Sequence, residues 1–87
     1  MVNPDHELKI LPEHFAPVCL GLKTAEVRKA DRDFKKEDLI LLREWWQGDY
    51  TGVSQLVRVS YVTDLNDYCP GYVLLSLYPL RNIALLR

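Results

Sequence analysis

The sequence predicts an α+β domain, a mostly antiparallel β-barrel that is closed or nearly closed and plugged by one early helix. Three observations carry that prediction. Several short stretches alternate polar and apolar residues, the pattern of a strand with one buried face. One stretch near the start has helical spacing instead. After it, strand-like stretches recur about every ten residues with turn chemistry between them, giving the order β-α-β-β-β-β.

The first strand is expected over residues 7–11, where Glu7, Leu8, Lys9, Ile10 and Leu11 alternate in polarity. Pro12 closes it by fixing its own φ and removing a backbone donor, and Pro12 also suits a first helical position. Phe15, Val18 and Cys19 then form an apolar stripe, and Gly21 offers a left-handed stop. Pro17 deletes one internal hydrogen bond, so the helix should be short, about two to three turns, and kinked or partly 3₁₀.

Residues 23–29 are strand-like, with Ala25 and Val27 on one face and Thr24, Glu26 and Arg28 together on the other. A polar connection follows, in which Phe34 is the single anchor into the core. Residues 39–46 are apolar on both faces at first and then mixed, as expected of the most buried strand. Adjacent Trp45 and Trp46 must point to opposite faces, one into the core and one outward. Turn chemistry over residues 47–52 leads into a strand at 56–63 with Val57, Val59 and Tyr61 facing one way. After a loop at 65–71, Val73, Leu75 and Leu77 form the inward face of a last long strand that Pro79 ends. The tail from Leu80 to Arg87 is left as either an edge strand or a frayed end.

With 87 residues, 48% hydrophobic and 26% charged, the chain is expected to be a single domain, residues 1–87 with a core at about 5–79. No stretch approaches the ~20 continuous apolar residues of a membrane helix. The opening residues Met1 to His6 have neither a basic nor an apolar export region, so no membrane association and a cytoplasmic location are expected. Cys19 and Cys69 have no CxxC spacing and read as buried or incidental thiols. A net charge of −1 argues against a protein that holds nucleic acid mainly by neutralising many phosphates. Charge is unevenly placed, however: between Lys23 and Lys36 six cations stand against three acids.

Within that segment, Gly21-Leu22-Lys23-Thr24-Ala25-Glu26-Val27-Arg28 resembles the pattern of the ASCH domains, a family of the PUA-like superfamily, in which a Gly, a Lys-Thr pair and a downstream Arg enter the second strand. The strand and helix before it, Arg32-Asp33-Phe34, Tyr50-Thr51-Gly52 and Gly71-Tyr72-Val73 extend the likeness to its small bacterial and phage branch, over roughly residues 5–77. The resemblance implies a cleft between the first helix and the barrel, and an association with RNA.

On that basis the expected function is binding of RNA or a modified nucleotide by Lys9, Lys23, Thr24, Glu26, Arg28 and Arg43. Lys23 can meet an anion as a mobile point charge, and Arg28 can grip a phosphate or base edge through parallel hydrogen bonds. Glu26 can accept from the exocyclic amine of a base, or it can simply pair with Arg28 and set the barrel mouth. Trp45, Trp46, Tyr50 and Tyr61 offer stacking surfaces, worth ~1–3 kcal/mol per base.

Two alternatives stay open. One branch of the resembling family removes the acetyl group of acetylcytidine, and Lys23 and Glu26 would be the catalytic candidates here. Glu26 stands where that branch has a threonine, Thr24 sits earlier, and only Asp64 and Asp67 are available as later acids. The other alternative is a protein-interaction module using exposed aromatics. His6 and His14 lack metal-site spacing and no nucleotide-cofactor motif occurs, so neither a metal nor a cofactor is expected.

Overall fold

The computed structural model describes residues 3–80. It contains β1 (His6–Ile10), α1 (Pro12–Cys19), β2 (Ala25–Lys29), β3 (Leu39–Trp46), β4 (Asp49–Asp64) and β5 (Tyr72–Pro79). All five strands belong to one curled sheet in the order β1-β3-β4-β5-β2. Three pairings are antiparallel, and β1 runs parallel to β3. The sheet is therefore mixed, and β1 and β2 are its edges. The expectation of a mostly β, barrel-like domain with one early helix holds, whereas among the described residues backbone pairing does not close the sheet. The expected tail element lies, beyond Leu80, outside the described residues.

The core fills the concave face of this half-barrel. Ile40 and Leu42 of β3, Val57 and Val59 of β4, Leu75 and Leu77 of β5, and Leu8 and Ile10 of β1 are all buried. Each pair is two residues apart, so alternation sends both side chains to the same face. Phe15 and Val18 of α1 cover them, and Phe34 anchors the long β2–β3 connection as its sequence position suggests. Cys19 departs from the expected stripe: as the last residue of α1 it is exposed, and only Phe15 and Val18 of the helix are buried.

The helix is α-helical along its eight residues rather than partly 3₁₀. Pro12 stands in its first turn, where a missing N–H costs nothing. Its end is a Schellman motif: Gly21 has φ +75°, its N–H donates to the Val18 carbonyl, and the Leu22 N–H donates to the Pro17 carbonyl. This sharp stop turns the chain toward β2 within a few residues.

Where β1 meets β3, short polar side chains hold the parallel register. Asp5 accepts the Leu39 N–H at 2.8 Å, and His6 Nε2 lies 2.7 Å from Asp38 Oδ2, with the His6 ring tilted against Phe34. The β3–β4 hairpin turns through Gln47 and Gly48, with φ +50° and +84°, so both central residues are left-handed as a type I′ turn requires. The turn is thus only two residues long. Tyr50, Thr51 and Gly52, expected in the turn, already lie in β4.

At 16 residues β4 would span about 50 Å if straight, more than the 45 Å longest extent of the molecule. It therefore bends, and the irregularity lies at Ser60, between the Val59–Leu77 and Tyr61–Ser76 partners. The extra residue breaks the alternation. Tyr61, expected to share the face of Val57 and Val59, is instead exposed, and Val62 packs against the core in its place.

Candidate functional site

On β2 the alternation is as the sequence predicts, but the polar face is the one turned inward. Glu26 is buried, 8% exposed, while Val27 beside it is 53% exposed. A carboxylate is buried at low cost only when cations and hydrogen bonds meet it. Here Lys23 Nζ donates to Glu26 Oε1 at 2.5 Å, and the Arg28 Nε donates to Oε2 at 3.2 Å. The Arg28 Nη2 lies 3.0 Å from the same oxygen. Glu26 thus sits between two cations, each held by a different end of one short segment.

Arg28 does a second thing. Its Nη2 donates to the Lys9 carbonyl of β1 at 2.6 Å, and farther along the Arg32 Nη1 approaches the Glu7 carbonyl at 3.4 Å. The two edge strands have no backbone pairing with each other, so these side chains span the seam between them. Arginine suits this role because its fork presents several donors in fixed directions.

A groove of about 490 Å³ opens over this arrangement, between α1 and β2. His14 of α1 forms one wall, with its Nδ1 3.4 Å from Lys23 Nζ. Glu26 and Arg28 lie along the floor, and Lys29 and Tyr72, register partners on β2 and β5, close one end. Lys23, Arg28 and Lys29 stand against Glu26, so the lysines and arginine of the groove outnumber its carboxylate by two. Glu26 accepts two hydrogen bonds, which leaves acceptor capacity unused, since a carboxylate can take about four. Lys23 likewise keeps a donor free.

The expected set of ligand residues divides. Lys23, Glu26 and Arg28 come together as predicted. Thr24 does not join them: it is exposed, outside the groove, and its carbonyl accepts the Leu77 N–H. The Lys9 and Arg43 side chains are on the convex face, because alternation along β1 sends Leu8 and Ile10 inward and Lys9 outward. There Lys9 Nζ sits 3.9 Å above the Trp45 ring, and Arg43 lies 3.7 Å over Tyr50 while pairing with Glu7. Trp45 and Tyr50 meet edge to face at 4.9 Å. Neither tryptophan enters the core. Trp45 is half-buried beneath Lys9, and Trp46, 54% exposed, points the opposite way and borders a separate shallow hollow with Pro12, Glu44 and Thr51.

Asp64 and Asp67 lie at the far end of β4 and in the following loop, and neither lines the groove. His14, Lys29 and Tyr72 were missed from the sequence as groove residues. His14 carried a usable signal, since it lies on the helix that precedes the Lys23 motif. Tyr72 carried none, because its place depends on the β2–β5 register. Both cysteines are free and exposed. Local desolvation, helped by the negative charge of Glu44, pushes the Cys19 thiol above its ordinary value. Among the described residues no cluster of His, Cys, Asp or Glu is arranged to hold a metal, and no helix is long and apolar enough to cross a membrane.

The fold and site together define a small, mostly β domain with a cationic groove between its helix and an edge strand. The chain belongs to the family described as domain of unknown function (DUF3850), whose family model matches residues 5–77. It is also 44% identical over 75 residues to the "Uncharacterized 12.9 kDa protein in GpA 3'region" of Escherichia phage P2. That alignment covers 86% of this chain and 69% of the phage protein.

Proposed function

We propose that this protein is a PUA-like domain of the ASCH type that binds RNA or a modified nucleotide in the groove between α1 and β2. The observation that carries the reading is the Glu26 carboxylate on the groove floor, fixed between Lys23 and Arg28 with acceptor capacity to spare. A base with an exocyclic amine can donate to that carboxylate while its neighbouring ring nitrogen or carbonyl accepts from Lys23 or Arg28. The flanking donors and acceptor are held in place before any ligand arrives, which reduces the ordering cost of binding. Tyr72 at the groove end offers a flat surface against a ring.

The position of the groove, between the first helix and the second strand, agrees with the cleft that the resemblance implies. Binding through one fixed site, rather than through a broad basic surface, also accords with the net charge of −1.

The test is the affinity of purified protein for short RNAs and for amine-bearing nucleosides, compared with Lys23→Ala and Arg28→Ala. Each substitution should weaken binding roughly tenfold or more, the equivalent of one charge-assisted hydrogen bond. Unchanged affinity in variants whose circular dichroism matches the wild type would remove the groove assignment. Release of acetate from acetylcytidine during the same assay, lost in Lys23→Ala, would make the domain an amidohydrolase instead of a binder.

A further inference from the structure

A second, smaller hollow of about 170 Å³ adjoins the groove. It lies in the seam between β1 and β2, with Leu8 and Phe34 beneath it and Arg28, Lys29, Asp31 and Arg32 around it. Arg28 and Lys29 border both hollows, so the two are neighbours along one strand end. Their chemistry differs. The groove contains a buried carboxylate, whereas the seam hollow has three cations against one acid, and that acid, Asp31, is exposed.

The donors here are not used up. Arg28 is committed to Glu26 and the Lys9 carbonyl. Arg32 is not: its hydrogen bond to the Glu7 carbonyl is long, 3.4 Å, and its pairing with Asp31 is 3.6 Å. Lys29 makes no ion pair among the described residues. A guanidinium with loose partners at one small hollow, with Lys29, exposed and unpaired among the described residues, at its rim and a base-sized groove beside it, matches a phosphoryl oxyanion. Lys35, Asp33 and the other charges of the β2–β3 connection do not line the hollow.

We propose that the seam hollow is a phosphoryl subsite, built from Arg32 and Lys29, for a ligand whose base lies in the adjoining groove. This rests on the nucleotide reading of the groove and sharpens it: the ligand is a phosphorylated nucleotide or a phosphate-linked strand, not a free nucleoside. Arg32 gives up its long contact to the Glu7 carbonyl and turns its fork to the phosphoryl oxygens, while Lys29 supplies a mobile charge. Arg28 stays in place, holding both the carboxylate floor and the seam.

The test uses calorimetry on the intact chain with cytidine, adenosine, their 5′-monophosphates, inorganic phosphate and a short oligoribonucleotide, against wild type and Arg32→Gln. Because Arg32 is 42% exposed, the variant is expected to fold, and its amide spectrum checks this. The monophosphates should bind at least tenfold tighter than the nucleosides at low salt. Arg32→Gln should erase that gain and leave nucleoside affinity unchanged. A gain seen for the oligonucleotide but not for the monophosphates, and lost in Arg32→Gln, would assign the subsite to a backbone phosphate. Equal affinity for nucleoside, monophosphate and oligonucleotide would overturn the subsite while leaving the groove reading intact. So would weakening of all ligands alike by Arg32→Gln. Absence of binding by every nucleoside, nucleotide and oligonucleotide would instead overturn the groove reading, and the subsite with it.

Discussion

Glu26 decides much about this molecule, because one side chain is at once the only buried charged residue of the described core region and the partner of two cations. Removing its charge leaves Lys23 and Arg28 facing each other without an anion between them, and one oxygen becomes an amide donor that repels both. Glu26→Gln should therefore destabilise the fold by about 2–3 kcal/mol, as expected for breaking a largely buried charged pair. Urea denaturation measures this. A loss under about 0.5 kcal/mol, the range of ordinary surface changes, would mean that the carboxylate contributes little to holding β2 in place. The pairing of Glu26 with Arg28 could be foreseen from their spacing on one strand face. The inward direction of that face could not, because Ala25 and Val27 are the more apolar pair and alternation alone would send them to the core.

At the scale of elements, the strands and the helix follow from local pattern, and the departures have local causes. The Gly21 stop, the Pro12 start and the β3 bounds fell where the residues placed them. The β3–β4 turn is shorter than its composition suggests. Gln47 accepts a left-handed backbone with φ +50°, which lets Tyr50-Thr51-Gly52 extend β4. A residue with a long side chain is strained there, whereas Asn tolerates that region and is preferred in type I′ turns. Gln47→Asn should raise stability by about 0.5 kcal/mol without changing the denaturant slope. A destabilising effect would contradict the turn geometry. Tyr61 illustrates the opposite limit. Its outward face is set by the irregularity at Ser60, a property of pairing between β4 and β5 that no alternation within β4 reveals.

The whole molecule is a half-barrel whose two edges are joined by side chains, and this is the feature least available from sequence. Strand order and the parallel β1–β3 pairing arise from contacts far apart in the chain. Arg28 links the floor of the groove to the β1 edge, so the site and the closure of the sheet share one residue. Arg28→Lys keeps the charge but not the fork, and one ammonium cannot serve Glu26 and the Lys9 carbonyl in the same geometry. Amide hydrogen exchange in β1 and β2 should then quicken roughly tenfold, the equivalent of about 1.5 kcal/mol, while β3 and β4 stay protected. An equal increase over all strands would show a general loss of stability rather than an opened seam.

The proposal that the groove between α1 and β2 receives a nucleotide is best tried by nuclear magnetic resonance titration of labelled protein with short RNAs, nucleosides and nucleotides. The account predicts shifts confined to His14, residues 23–29 and Tyr72 with nucleosides, extending to Asp31 and Arg32 with phosphorylated ligands, while the convex-face group of Lys9, Arg43, Trp45 and Tyr50 stays unmoved by mononucleotides. Shifts centred on the convex face, or none with any of these ligands, would contradict it and turn attention to a protein partner.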